Sequence, residues 1–320
     1  MALGEFELIR RYFSSLTEGG RGIALGVGDD AAVTALAEGE QLVTCTDTLV
    51  QGVHFPADAN PRDIAMRALC VNLSDLAAMG AEPRWYTLAL TLDSADEPWL
   101  QAFAAGLADI SRESGFALIG GDTTRGPLCI SVTAMGAVPV DAYLARDGAQ
   151  PGDALYVTGC LGEGAAALAF LQDRLPCSEA EAAHLRQRFY RPAPRLREGI
   201  LLRDLATAAI DISDGLLADA GHIASRSGVA VAIDIDRLPL PSLSGADQET
   251  RLYWALAGGD DYELCFTVAP AHREAVDDRI ASGELAAHCI GEALSGAGVR
   301  LHKSGVSWQP ARPLSGYRHF

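Results

Sequence analysis

Apolar residues along this chain fall into two recurring patterns, helical spacing and short strand-like runs, and the two alternate from the first residues onward. Phe6, Ile9 and Phe13 predict a helix over 5–16 that stops before Gly19-Gly20. Ile23 to Val27 leads into Gly28-Asp29-Asp30, and Gln41 to Thr46 predicts a buried strand ending at Asp47. A helix follows with clear start signals: Asn60 to cap, Pro61 at the first position, Asp63 at the positive end. Ile64, Ala68 and Val71 give it one apolar face, and Gly80 gives it a stop. Then come a strand over 85–92, a helix over 97–114 with Leu100, Phe103 and Leu107 on one side, a short run at 117–119 entering Gly120-Gly121-Asp122, and a strand over 128–138.

Turn residues concentrate between Arg146 and Asp153, which places a domain boundary there. Beyond it the pattern predicts a strand at 154–158, helices at 165–172 and 178–190, and a strand at 208–212 feeding Ser213-Asp214-Gly215. A helix carrying Leu216, Ala220 and Ile223 follows, then strands at 229–233 and 262–268, with a Pro/Gly connector over 236–250 between them. Strands and helices therefore alternate in both halves. The expected fold is α/β in two domains, 1–148 and 149–320.

Composition narrows the possible partners. Hydrophobic residues make up 49% of the 320, enough for sizeable cores. Twenty-five basic residues against 42 acidic ones give a net charge of −17, which argues against nucleic acid or an anionic membrane as partner. The seven cysteines are widely spaced, form no C-x-x-C pair and lie mostly in apolar runs, so reduced thiols in a cytoplasmic protein are expected. The first residues show no secretory signal pattern, and no apolar stretch approaches the roughly 18 residues of a membrane span.

Several familiar chemistries are absent. No phosphate-loop motif, H-E-x-x-H, zinc spacing or G-x-S-x-G occurs, and Gly26-Val27-Gly28 lacks the third glycine of a dinucleotide fingerprint. What remains is carboxylate chemistry. Asp30, Asp47, Asp75, Asp122, Asp211 and Asp214 sit in short segments rich in Gly, Ser and Thr, with Asp29 as a turn former beside them. Any one of them alone reads as a turn or cap residue. Together they are candidate ligands for several Mg²⁺ ions, a set that usually serves polyphosphate chemistry. Thr46 and Ser213 offer hydroxyls, Gly120-Gly121 offers backbone N–H groups, and Arg125 and Arg146 offer charge to a phosphate. No residue stands out as nucleophile or general base.

The segments GEFELI, LGVGDDAAV, TDTLVQGVHF, VNLSDLAAMGAEP, IGGDTTRGP, DISDGL, GGDDYELCF and GYRHF resemble, in order and over the whole chain, those of the bacterial thiamine-monophosphate kinase family. The resemblance implies a fold of the aminoimidazole-ribonucleotide synthetase type, with an N-terminal mixed sheet and helices, a C-terminal α/β sandwich, and a homodimer formed through the N-terminal domains. It implies transfer of the γ-phosphoryl of ATP to thiamine monophosphate. It assigns Asp30, Thr46, Asp47, Asp75, Asp122, Asp211 and Asp214 to Mg²⁺. Asp30, Thr46, Gly121, Asp122, Arg146 and Ser213 fall to ATP, and His54, Glu263 and the terminal aromatic Tyr317 to the thiamine phosphate. Cys45 departs from the family pattern, which often has a small hydroxyl residue there.

Overall fold

A four-stranded mixed sheet frames the first of two units into which the chain divides, Met1–Leu76 with Ala81–Asp141; the second is Ala77–Gly80 with Ala142–Phe320. The computed structural model describes residues 5–310 and 314, so Tyr317 and Phe320 lie outside the described residues. The first unit opens with α1 (Glu5–Tyr12) and a 3-10 turn over Ser14–Thr17, so the expected single helix breaks at the buried Phe13. The small pair β1 (Ile23–Leu25) and β2 (Val33–Thr34) follows. The remaining elements are β3 (Glu40–Val50), α2 (Pro61–Ala78), β4 (Glu82–Leu92), α3 (Glu97–Ser114), β5 (Ala117–Arg125) and β6 (Cys129–Pro139).

The sheet order is β3-β6-β4-β5, with β4 and β5 parallel and the other pairs antiparallel. Helices α2 and α3 start at the predicted positions, each with a side-chain cap. The Asn60 side chain accepts from Arg62 N at 2.9 Å, and Asp96 accepts from Trp99 N at 3.3 Å. Two strands outrun the expectation. β3 continues through Asp47 to Val50, and β5 continues through Gly120-Gly121-Asp122 to Arg125. Pairing with β6 and with β4 supplies the hydrogen bonds that local preference for turn did not anticipate.

The second unit contains β7 (Ala154–Thr158), α4 (Glu163–Leu171), α5 (Glu179–Tyr190), α6 (Leu196–Leu202), β8 (Ala206–Asp211), α7 (Leu216–Ser227) and β9 (Ala230–Asp234). It continues with α8 (Gln248–Ala257), β10 (Leu264–Val268), α9 (Arg273–Ala281), β11 (Ala287–Leu294), β12 (Gly298–Lys303) and β13 (Val306–Ser307). Its seven-stranded sheet runs β13-β12-β9-β11-β7-β10-β8, antiparallel except for β9 with β12. Successive strand residues feed opposite faces. Leu155 and Val157 pack with Leu216, Ala220 and Ile223 of α7, while Tyr156 and Phe266 pack with Leu202 of α6 and Val276 of α9.

Helix α6 carries no strong sequence signal. The end of the expected connector becomes α8, started by Asp247, whose side chain accepts from Thr250 N at 2.8 Å. The strand expected from Tyr262 begins at Leu264, because Tyr262 has φ +53° and cannot sit in a pleat. All seven cysteines are free thiols. No helix among the described residues is long and apolar enough to cross a membrane.

Candidate active site

The first unit holds five of the predicted aspartates and His54. Asp29 and Asp30 lie on an exposed turn, where Asp29 Oδ1 accepts from Asp30 N at 2.9 Å, the turn-forming role expected of Asp29. Asp47 lies mid-strand in β3, opposite Val132 of β6, which in turn pairs with Leu88 of β4. Both neighbours are buried, so the Asp47 side chain rises from the apolar face of the sheet. Burial there holds its carboxyl above the usual carboxylate range. Cys45, on the same face of β3, points its Sγ at the Asn72 carbonyl of α2, 3.7 Å away. Asp75 is one helical turn beyond Asn72 on that helix.

Thr46 leaves the opposite face of β3 and meets Thr133 Oγ1 at 3.0 Å; Thr48 meets Ser131 Oγ at 2.7 Å beside it. Strand register places Asp122 on that second face too, in one row with Ala89, Ser131 and Thr48. β3 and β5 are the two edges of the sheet. Three strand spacings, about 14 Å, therefore separate Asp47 from Asp122. Magnesium–oxygen bonds are only about 2.1 Å, so these two carboxylates of one chain do not share an ion. Gly121 has φ +155°, and a Cβ there would lie 1.9 Å from the Leu88 carbonyl oxygen, so the close approach of β5 to β4 requires glycine. His54 accepts from Val50 N through Nδ1 at 2.9 Å, which leaves its ring proton on Nε2.

In the second unit Arg146 is exposed on the turn that precedes β7. Asp211 ends β8 with 3% of its surface exposed, and Ser213 and Asp214 follow half-buried. The turn is built by a residue that sequence reasoning missed. Asp219, in the first turn of α7, accepts from Ser213 N, Asp214 N and Gly215 N through the same Oδ2, each at 3.1 Å. Burial, with the charge of Asp211 added, pushes the Asp219 carboxyl up to about 7 against the bonds from Asp214 N and Gly215 N.

A second buried aspartate does the same for α4. Asp261 accepts from Gly162 N at 2.7 Å and Gly164 N at 2.9 Å, and burial pushes its carboxyl up to about 7. Asp260 and Tyr262 on either side are left-handed, at φ +69° and +53°. A signal for both aspartates was present, since Asp261 lies in the GGDDYELCF segment and Asp219 just beyond DISDGL, but neither was singled out from the sequence.

Glu263 is 1% exposed and its two oxygens are fully engaged. Arg195 grips them through Nε and Nη2, each at 2.6 Å. Arg188 adds Nη2 at 3.2 Å and Thr158 adds its hydroxyl at 2.6 Å. Arg188 Nε also lies 2.8 Å from Glu163 Oε2, as an ion pair off the line of a hydrogen bond. Arg188, Arg195 and Thr158 were not anticipated, because a lone arginine in sequence reads as solvated surface.

The donors fit a hard divalent cation in kind. They are carboxylate oxygens, and Asp47 is held partly desolvated, a state that a bound cation would relieve. Among the described residues no group of three or more His, Cys, Asp or Glu side chains is gathered tightly enough to hold an ion unaided. Mg²⁺ commonly takes one or two carboxylates and completes its shell with water and substrate phosphate oxygens.

Residues 28–138 match the N-terminal domain of the AIR synthase related proteins, and residues 150–304 match their C-terminal domain, which defines the class. The chain is 50% identical over 295 residues to a thiamine-monophosphate kinase of Salmonella typhimurium, covering 91% of each. Its fold is similar to the crystal structure of thiamine-monophosphate kinase from Stenotrophomonas maltophilia K279a, with TM-score 0.85, 47% identity and coverage of 96% of this chain and 99% of that one. It is also similar to AaThiL complexed with AMPPCP and TMP, with TM-score 0.77, 31% identity and coverage of 100% and 99%. The chain belongs to the thiamine-monophosphate kinase family.

Proposed function

We propose that this chain transfers the γ-phosphoryl group of ATP directly to thiamine monophosphate, giving thiamine diphosphate and ADP. The observation that carries the reading is end-to-end similarity to a structure solved with AMPPCP and TMP, joined to the acidic motifs on β3, α2, β5 and the β8–α7 turn. Asp30, Asp47, Asp75, Asp122, Asp211 and Asp214 would hold several Mg²⁺ ions, with Thr46 beside them. When bound, those ions supply charge neutralisation between two phosphate groups that repel each other.

The acceptor needs no general base, since a phosphate monoester with a second pKa near ~6 is already largely ionised at neutral pH. Arg146, whose guanidinium has no ion-pair partner among the described residues, meets phosphate charge. The Ser213 hydroxyl and the backbone at Gly121 add donors on the nucleotide side. His54 donates from Nε2 to the acceptor phosphate, the tautomer its Nδ1 bond fixes. Glu263 serves the acceptor side by fixing Arg188 and Arg195, and Tyr317 offers its ring to the thiazolium cation. Transfer is direct, and no phospho-enzyme forms. Two chains act as a dimer through their N-terminal units, and the enzyme works in the cytoplasm.

The test is ADP release and thiamine diphosphate formation from ATP, thiamine monophosphate and Mg²⁺. Product formation that needs all three is expected. ADP release at an equal rate without thiamine monophosphate would replace the kinase reading with a phosphohydrolase.

A further inference from the structure

We propose that Arg188 and Arg195 form a two-guanidinium clamp for the phosphate of the acceptor, with Glu263 as the positioning residue that holds them side by side. The inference rests on the reading of thiamine monophosphate as acceptor and names which end of it meets this cluster.

Two like charges do not gather in a largely buried place unless something anchors them. Here the anchor is one carboxylate. Glu263 Oε1 accepts from Arg195 Nη2 at 2.6 Å and from Arg188 Nη2 at 3.2 Å, so the two guanidinium groups are neighbours. Glu263 Oε2 is filled by Arg195 Nε and the Thr158 hydroxyl, each at 2.6 Å. A Cβ at position 159 would overlap this carboxylate, and glycine stands there. Arg188 is steered further by Glu163 at its Nε, and its Nη2 also donates to the Asp261 carbonyl at 3.1 Å.

One nitrogen of each arginine is left over. Nη1 of Arg188 and Nη1 of Arg195 make no hydrogen bond among the described residues, and neither atom is enclosed. The carboxylates around them offer a ligand far less. Both oxygens of Glu263 are taken, and Glu163 is held by His184 Nε2 at 2.7 Å as well as by Arg188. Glu198 reaches Arg195 Nη1 only as an ion pair at 3.7 Å. The cluster therefore presents N–H donors on fixed, charged groups, which suit a phosphate and not a thiazolium ring. The two arginine side chains are only 11% and 21% exposed, so their charge is screened less than on an open surface.

The backbone sets the anchor beside the acidic turn. Ile212 N donates to Glu263 O at 2.7 Å, and Tyr262 N donates to Ile212 O at 2.8 Å. Ile212 lies between Asp211 and Ser213. Glu263 is thus one strand spacing, about 4.8 Å, from the segment proposed for metal and nucleotide.

Arg195→Lys keeps a positive charge against Glu263 and removes the open Nη1. Dissociation constants are measured with Mg²⁺ present for thiamine monophosphate and for thiamine, which lacks the phosphate, so their ratio isolates that group. The expected result is a ratio reduced tenfold or more in Arg195→Lys, with thiamine binding unchanged within about twofold. A folded Arg195→Lys with the wild-type ratio overturns the proposal. Glu198→Gln tests the sign of the recognised charge without relying on that variant to fold. Removing the neighbouring negative charge should tighten thiamine monophosphate at least twofold and leave thiamine unchanged. Unchanged or weaker binding of thiamine monophosphate to Glu198→Gln overturns the clamp. Wild-type protein that binds no thiamine monophosphate removes the acceptor reading itself, whereas wild-type binding with unresponsive variants removes only the clamp.

Discussion

Arg195 meets Glu263 through two parallel hydrogen bonds of 2.6 Å, with the carboxylate almost wholly out of solvent. Such a fork fixes both side chains in one plane, which a lysine could not do. The predicted consequence is asymmetric. Glu263→Gln leaves the Arg195 and Arg188 guanidinium groups facing a neutral amide in a buried setting. A loss of about 3–5 kcal/mol in unfolding free energy is expected, the cost typical of breaking one side of a buried pair. Urea denaturation of both proteins measures it, and a loss below about 1 kcal/mol would show that the pair is solvated in solution.

Asp47→Asn is expected to separate stability from activity. Its carboxylate sits against the apolar face of the first sheet, where burial disfavours the charged form. The amide should therefore leave the metal-free protein as stable as wild type or more so. Turnover should fall more than about a hundredfold, the scale of losing a major electrostatic contributor. Melting curves in EDTA and steady-state rates at saturating Mg²⁺ test the two halves. Near-normal turnover would remove Asp47 from the metal set.

Gly121→Ala is expected to weaken the first unit rather than only its chemistry. The added methyl group would meet the Leu88 carbonyl oxygen at 1.9 Å, and that atom belongs to the backbone of a central strand. Separating β5 from β4 costs about 1–3 kcal/mol, as overpacking usually does. A lower melting temperature reads it, and an unchanged one would contradict the close approach.

Asp261 makes stability depend on pH. Its carboxyl is pushed from 3.8 up to about 7 by burial, with Arg188 and Glu263 facing it. Between those values the folded chain holds a proton there and the unfolded chain does not. Its contribution therefore falls as pH rises from about 4 towards 7, and the penalty is complete above that. Asp261→Asn removes this dependence while losing one backbone bond. Raising the pH from 5 to 8 should thus lower the melting temperature of wild type more than that of Asp261→Asn. Equal slopes for the two proteins would show that Asp261 does not titrate in this range.

The regular elements were legible where one signal dominated. Asn60 with Pro61 announces α2, and Leu100, Phe103 and Leu107 mark the face of α3. Strand ends were less legible. Asp47 and Gly121 look like the ends of strands because aspartate and glycine favour turns, yet partners distant in sequence keep both in the ladder. The acidic motifs were visible as candidate ligands, but the sheet register that sets Asp47 and Asp122 on opposite faces and edges was not. Least visible were Asp219, Asp261, Arg188 and Arg195. Their roles depend on partners brought close by the fold, and no local spacing marks them.

The Asp260–Glu263 corner carries a consequence for how the second unit is made. Two successive excursions into the left-handed region, at Asp260 and Tyr262, cost about 1–2 kcal/mol each and will not arise from local preference. What offsets them is Arg188 and Arg195, synthesised 75 and 68 residues earlier. On the ribosome the buried fork on Glu263 closes only when that residue emerges, so the acidic turn at 211–215, whose backbone bonds reach the 260–263 corner, acquires its final shape only as the last third of the unit arrives.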